Sequence, residues 1–230
     1  MPVSPSVDRQ LRDAVAWLKR TGTKKGRDGM ARYGLPSDTA FGVPVGRLQA
    51  YAKTLGRNHE LALALWESGS YEARLLTAYV GEPERLTSAQ MDGFCRDFDN
   101  WGVVDTICFV LLDKSPVAWK KVTPWSRRRD EFGKRAAFAL LASLSLHDKA
   151  ATDAQFLKTL PLIERASTDE RNFVKKGVSW ALRAVGRRNP ALRTAAVELA
   201  TRLAASSDPT AKWLGRDALR DLKTPGRNRP

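Results

Sequence analysis

The sequence holds few of the residues from which metal centres, disulfide frameworks and nucleophilic sites are built. Its two cysteines, Cys95 and Cys108, lack Cys-x-x-Cys spacing, and Cys108 sits in an apolar run. A disulfide scaffold is excluded on that count, and a reduced, cytoplasmic chain is expected, nucleoid-associated if it binds DNA. The two histidines, His59 and His147, are too far apart to suggest a zinc site. There is no glycine-rich phosphate loop and no Gly-x-Ser-x-Gly elbow, so we expect no metal and no nucleotide cofactor. No apolar run approaches membrane-spanning length, and Met1-Pro2-Val3-Ser4-Pro5 lacks the apolar core of a secretory signal. Alternating strand patterns are missing as well.

Acidic residues are the next scarcity. The 39 Lys and Arg outnumber 25 Asp and Glu for a net charge of +14, and the excess is one-sided. Residues 1–114 carry 15 basic and 14 acidic groups, net +1, whereas 115–230 carry 24 and 11, net +13. Such a field suits a polyanion, and nucleic acid is the commonest one; an acidic membrane surface and simple solubility are the other readings.

What fills the chain is helix. Val7, Leu11, Val15 and Leu18 recur at helical spacing, a basic loop Lys24-Lys25-Gly26-Arg27 follows, and a short helix ends near Tyr33-Gly34. After Phe41-Gly42-Val43-Pro44, helical patterns cover 44–56, 59–68, 71–81, 87–97, 100–113, 116–122, 130–146, 152–165, 169–187, 190–205 and 209–222. Successive pairs span about 30–45 residues, the range of HEAT and armadillo repeats. The fold expected is therefore all-α, a curved solenoid of HEAT-like antiparallel helical hairpins forming one domain over residues 1–222, with a disordered basic tail from 223 to 230. A generic helical bundle is the alternative.

The stretch around which the chain is organised runs from Asp99 to Leu112. Asn100 can cap a helix that starts at Trp101, and Asp105 lies one turn further along the same face. Beyond Asp105 the helix is nearly all apolar, so this carboxylate is either a helix-end charge or a functional group. In the 169–187 helix, Val174, Val178, Ala181, Leu182 and Val185 gather on one side, and Lys176, Trp180, Arg183 and Arg187 on the other. An indole ringed by cations is either a surface packing or a stacking residue in a phosphate-lined groove. Lys134 and Arg135 lead into a helix with no further charge through Leu146, so Arg135 is either a structural ion-pair partner or aimed at a ligand. Between these helices, Lys120, Lys121, Arg127 and Arg128 mix with Trp119 and Trp125, as in a phosphate-binding groove or a solvated loop.

Taken together, Phe41-Gly42-Val43, Asn100-Trp101 through Asp105, Lys134-Arg135-Ala136-Ala137 and Lys175-Lys176-Gly177-Val178-Ser179-Trp180-Ala181-Leu182-Arg183 resemble the HEAT-like repeat DNA alkylation-repair glycosylases of the AlkD type. The resemblance implies a monomer that binds duplex DNA and removes purines alkylated at N3 or N7, without a base-binding pocket. It makes Asp105 the catalytic carboxylate and sets Trp101 and Trp180 against the deoxyribose, with Arg135 completing the site near the phosphate. It places Tyr33 beside the DNA, and the cations Lys134, Lys175, Lys176, Arg183 and Arg187 join Lys120, Lys121, Arg127 and Arg128 as expected DNA contacts. Gly102, directly after Trp101, departs from a firm helical mounting and would loosen the carboxylate. Two other readings stand beside the enzyme: a non-catalytic binder of damaged or branched DNA, and a scaffold whose basic face meets an acidic protein.

Overall fold

The structure, a computed structural model, describes residues 5–223; the expected disordered tail lies, from residue 224 on, outside the described residues. The described residues form fourteen α-helices and three short 3-10 turns, with no strand among them. Where the helical pattern suggests one stack over 1–222, Cα packing separates two compact units, Met1–Pro116 and Val117–Pro230. The division falls at the charge boundary, because Ser115 and Pro116 are uncharged: one unit carries +1 and the other +13.

The first unit contains α1 (Pro5–Thr21), α2 (Lys24–Met30), α3 (Val45–Leu55), α4 (His59–Glu67), α5 (Tyr71–Val80), α6 (Ser88–Arg96) and α7 (Trp101–Val110). At its centre is α5, which packs against α1, α3, α4 and α7. Leu75, Leu76, Ala73, Ala78 and Val80 bury most of its circumference, as expected of a helix apolar nearly all round. Helix starts follow side-chain caps: Asn58 accepts from Leu61 N at 3.0 Å, and Thr87 with Gln90 forms a capping box.

The second unit contains α8 (Trp119–Ser126), α9 (Glu131–His147), α10 (Asp153–Leu157), α11 (Leu160–Ala166), α12 (Asn172–Arg187), α13 (Pro190–Ala204) and α14 (Pro209–Lys223). Its core helix is α9, buried from Arg135 to Ser145 and packed on α8 and α12; α12 packs in turn on α13 and α14. Three expected helices differ, one of them α8, which runs from Trp119 to Ser126 rather than over 116–122. The pattern over 152–165 breaks into α10 and α11, with Pro161 in the first turn of α11, where its missing N–H costs nothing. Helix α12 starts at Asn172 rather than 169, because the Asp169 carboxylate turns back to accept from Arg171 N at 3.3 Å.

Candidate nucleic-acid interface

In the first unit, α7 begins at Trp101 because extended Asn100 accepts a hydrogen bond from Val103 N at 2.9 Å. Asn100 Nδ2 also donates to Asp99 Oδ1 at 2.6 Å, and Asp99 pairs with Arg74 at 3.2 Å. Arg74 lies 5.0 Å over the Trp66 ring, and Trp66 Nε1 donates to Asp97 Oδ2 at 2.8 Å. The start of α7 is thereby tied to α4 and α5.

The Trp101 indole N–H donates to the Tyr33 carbonyl at 2.8 Å, so its ring is fixed by the turn that follows α2, while the Tyr33 side chain is 69% exposed. Asp105 is half-buried one turn along the same face. Gly102 does not loosen this mounting. A Cβ there would sit 2.7 Å from the Tyr71 hydroxyl and 2.8 Å from Leu35 Cδ2, so glycine is what permits α5 and residue 35 to close on α7. Burial, with Glu72 and Tyr79 adding to it, pushes the Tyr71 phenol up to about 12, which keeps it a neutral hydroxyl against Gly102.

Sequence reasoning missed Glu72. This carboxylate is completely buried on α5 and accepts from three successive backbone N–H groups, Phe41 at 2.9 Å, Gly42 at 2.6 Å and Val43 at 3.1 Å. Gly42 has φ +81, and a Cβ there would fall 2.3 Å from the Thr23 carbonyl oxygen; a Cβ on Gly22 would fall 2.3 Å from that of Phe41. The Phe-Gly-Val segment therefore lies directly on residues 22–27, which lead through α2 to Tyr33 and so to Trp101. An acid in an apolar helix, paired with a tight Gly-containing turn elsewhere, was the available signal.

The second unit holds its residues by ion pairs. Arg135, 6% exposed, donates from Nη1 to the Phe173 carbonyl at 2.7 Å, and its Cγ lies 3.4 Å from where a Gly177 Cβ would be. Phe173 N returns a bond to Glu131 at 3.0 Å, so the first turns of α9 and α12 are stitched together. Lys134 pairs with Asp169 at 2.8 Å, and Asp169 also pairs with Arg171 at 2.6 Å. Those bonds, Arg171's foremost, hold the Asp169 carboxyl below the usual carboxylate range against the opposing effect of burial.

On α12, Lys176 is exposed and Trp180 half-buried beside it in the helical stripe. Arg183 and Arg187 point to acids of α14: Arg183 lies 3.7 Å from Asp217 and 3.8 Å from Asp221, and Arg187 is paired with Asp221. Lys175 lies 5.4 Å over the Trp213 ring. The stretch around α8 sorts into two layers. Trp125 is buried, and Trp119, half-buried, donates to Asp148 at 2.8 Å and meets Phe156 edge-on at 5.1 Å, so Trp125 is core and Trp119 is held by α10 and the turn after α9. Lys121 is likewise buried, at 4% exposure, which departs from its expected place on a phosphate surface; Lys120, Arg127 and Arg129 are exposed, and Arg128 pairs with Asp130 at 2.7 Å.

The structure thus brings Tyr33, Trp101 and Asp105 together in one unit, and Lys134, Arg135, Lys175, Lys176, Trp180, Arg183 and Arg187 in the other. A family model described as "DNA alkylation repair enzyme" matches residues 14–222. A solved structure described as "a new family of proteins related to the HEAT-like repeat DNA glycosylases with affinity for branched DNA structures" shares the fold, with TM-score 0.75 over 91% of this chain and 94% of that one, at 18% identity. The all-helical architecture is therefore HEAT-like. No curated protein matches the chain.

Proposed function

The chain belongs to the DNA alkylation repair enzyme family, and from that premise we propose that it is a DNA glycosylase that hydrolyses the N-glycosidic bond of N3- or N7-alkylated purines in duplex DNA. The observation that carries the proposal is the Trp101–Asp105 pair, with the indole anchored on the Tyr33 carbonyl and the carboxylate one turn away on an otherwise apolar helix.

The chemistry suits so spare a site. Alkylation at N3 or N7 makes the purine cationic, so the base leaves as a neutral group without needing a proton from the protein. Positive charge then accumulates on the deoxyribose, as in other glycosyl cleavages. The Asp105 carboxylate stabilises that charge and orients the attacking water, which passes its proton to this carboxylate, and from there to solvent, as its oxygen bonds to C1′ and the C1′–N bond breaks. The face of Trp101 lies against the sugar and excludes bulk water, which strengthens the attraction, and Trp180 offers the second unit's aromatic face to DNA. Arg135, bound to the Phe173 carbonyl, serves as a fixed positive charge for a backbone phosphate rather than a mobile clamp. Lys176, Lys120 and Arg127 supply exposed positive charge for the backbone.

The test is release of free 7-methylguanine and 3-methyladenine from methylated duplex DNA by wild type and Asp105→Asn, both shown folded by circular dichroism and tested for DNA binding. We expect release to fall by about 10²–10³-fold in the variant while binding is retained. A folded wild type that binds DNA and releases no base would instead establish the second reading, a non-catalytic binder. That reading is favoured by the branched-DNA affinity in the description of the structural neighbour.

A further inference from the structure

Helix α14 carries both acids and cations. Its acids turn toward α12: Asp217 accepts from the Ser179 hydroxyl at 2.6 Å and faces Arg183, while Asp221 pairs with Arg187. Its cations Lys212, Arg216 and Arg220 recur every four residues, so they form one stripe along the helix. Arg220 pairs with Asp217, while Arg216 is exposed and Lys212 half-buried.

Within this stripe stands Trp213, at 39% exposure one of the few large apolar side chains left open to solvent. Core packing does not account for it, because the buried side of α14 is made by Ala211, Leu214, Gly215, Ala218 and Leu222. The indole instead borders an open hollow of about 350 Å³ that Ser207, Pro209, Lys212, Arg216, Asp217 and Arg220 also line, so that cations outnumber the one acid, with Lys175 5.4 Å over the ring. An aromatic face flanked by cations is the combination that binds single-stranded nucleic acid: bases stack on the ring and phosphates lie along the charges. Duplex DNA offers no free base face to such a ring away from its ends.

We propose that the outer face of α14 is a second DNA contact, at which an unpaired base stacks on Trp213 and its flanking phosphates meet Lys212 and Arg216. This rests on the DNA-binding reading above and adds to it a class of ligand, DNA in which a duplex adjoins a single strand. Lys175 links this face to α12.

The test measures the affinity of the full chain for a fluorescein-labelled blunt duplex and for the same duplex bearing an oligothymidine overhang. Wild type is expected to favour the overhang by at least about fivefold, the lower end of what stacking one base provides. Trp213→Ala should bring the ratio of the two affinities close to one, and Trp213→Phe should restore most of it. Arg216→Ala, at an exposed position, should also lower the ratio and flatten the salt dependence of overhang binding by about one phosphate contact. Equal wild-type affinity for the two probes, or a Trp213→Ala variant that keeps the full preference, overturns the inference and leaves the glycosylase reading intact. A wild type that binds neither probe overturns both.

Discussion

The two units position their candidate residues by the same kinds of contact in a different balance. In the first, carboxylate and amide oxygens grip backbone N–H groups, Glu72 at residues 41–43 and Asn100 at Val103, and glycines let the chain close on itself at Gly22, Gly42 and Gly102. In the second, helix ends are fastened by ion pairs, Lys134 and Arg171 to Asp169, Arg183 and Arg187 to acids of α14. The first kind of fastening is buried and barely screened by salt, while the second faces solvent in part. On the proposed function this is a division of labour. The near-neutral unit carries the catalytic carboxylate, and the unit with charge +13 supplies attraction for a polyanion that the carboxylate itself would repel.

If the comparison holds, the largest effect comes from Glu72→Ala. Three backbone N–H groups would lose their acceptor in a buried site, at about 1–3 kcal/mol each, for a loss on the order of 5 kcal/mol. Hydrogen exchange should report it locally, with protection lost across residues 22–43 and kept in α12 and α13. Protection lost equally in both units would break the comparison.

Next in size is Gly102→Val. Its side chain would overlap the Tyr71 hydroxyl and Leu35, and overpacking of this kind costs about 1–3 kcal/mol. Since the same contact sets the start of α7, base release should fall more than DNA affinity does, read as a drop in single-turnover rate at saturating enzyme. A variant with wild-type rate and stability would show that the close approach at Gly102 has no part in holding the Trp101–Asp105 face.

Much of this was legible in the sequence, and the parts that were not have a common cause. Helix starts capped by Asn58, Thr87, Asn100 and Asn189 fall within one residue of where the pattern puts them, since a cap is a local signal. The charge step at residue 115 coincides with the division between the units, although the helical pattern reads as one domain. Composition could not say which way a side chain turns. Trp125 sits among cations in the sequence yet is packed into the core, Trp119 is half-buried against Phe156 and Asp148, and Lys121 is buried while its neighbour Lys120 is exposed. Helix α8 is displaced from the expected 116–122 because a turn occupies residues 116–118. Glu72 and Gly102 were opaque for the same reason: what each touches lies about 30 residues away in sequence or further, at Phe41 to Val43 and at Tyr71 and Leu35. Trp101, Asp105, Arg135 and Trp180 were marked by residue type, helical face and the family resemblance, and their chemical roles rest with the base-release assay.

The smallest effect, and the one that tests the second unit's manner of fastening, is the pH dependence of Asp169. Its folded carboxyl is held below the usual range by Arg171 and Lys134, whereas the unfolded one titrates near the ordinary value of about 4. A depressed carboxylate stabilises the fold fully above its unfolded pKa and loses that contribution as pH falls through the folded one. Asp169→Asn should therefore lower the thermal midpoint at pH 7, by the equivalent of about 1–2 kcal/mol for a charge-assisted pair, and the difference from wild type should shrink as pH drops below about 4. Raising salt at pH 7 should narrow it too, and should leave the effect of Glu72→Ala unchanged. A pH-independent difference would mean that Asp169 acts through its hydrogen bond to Arg171 N and the shape of the turn before α12, not through its charge.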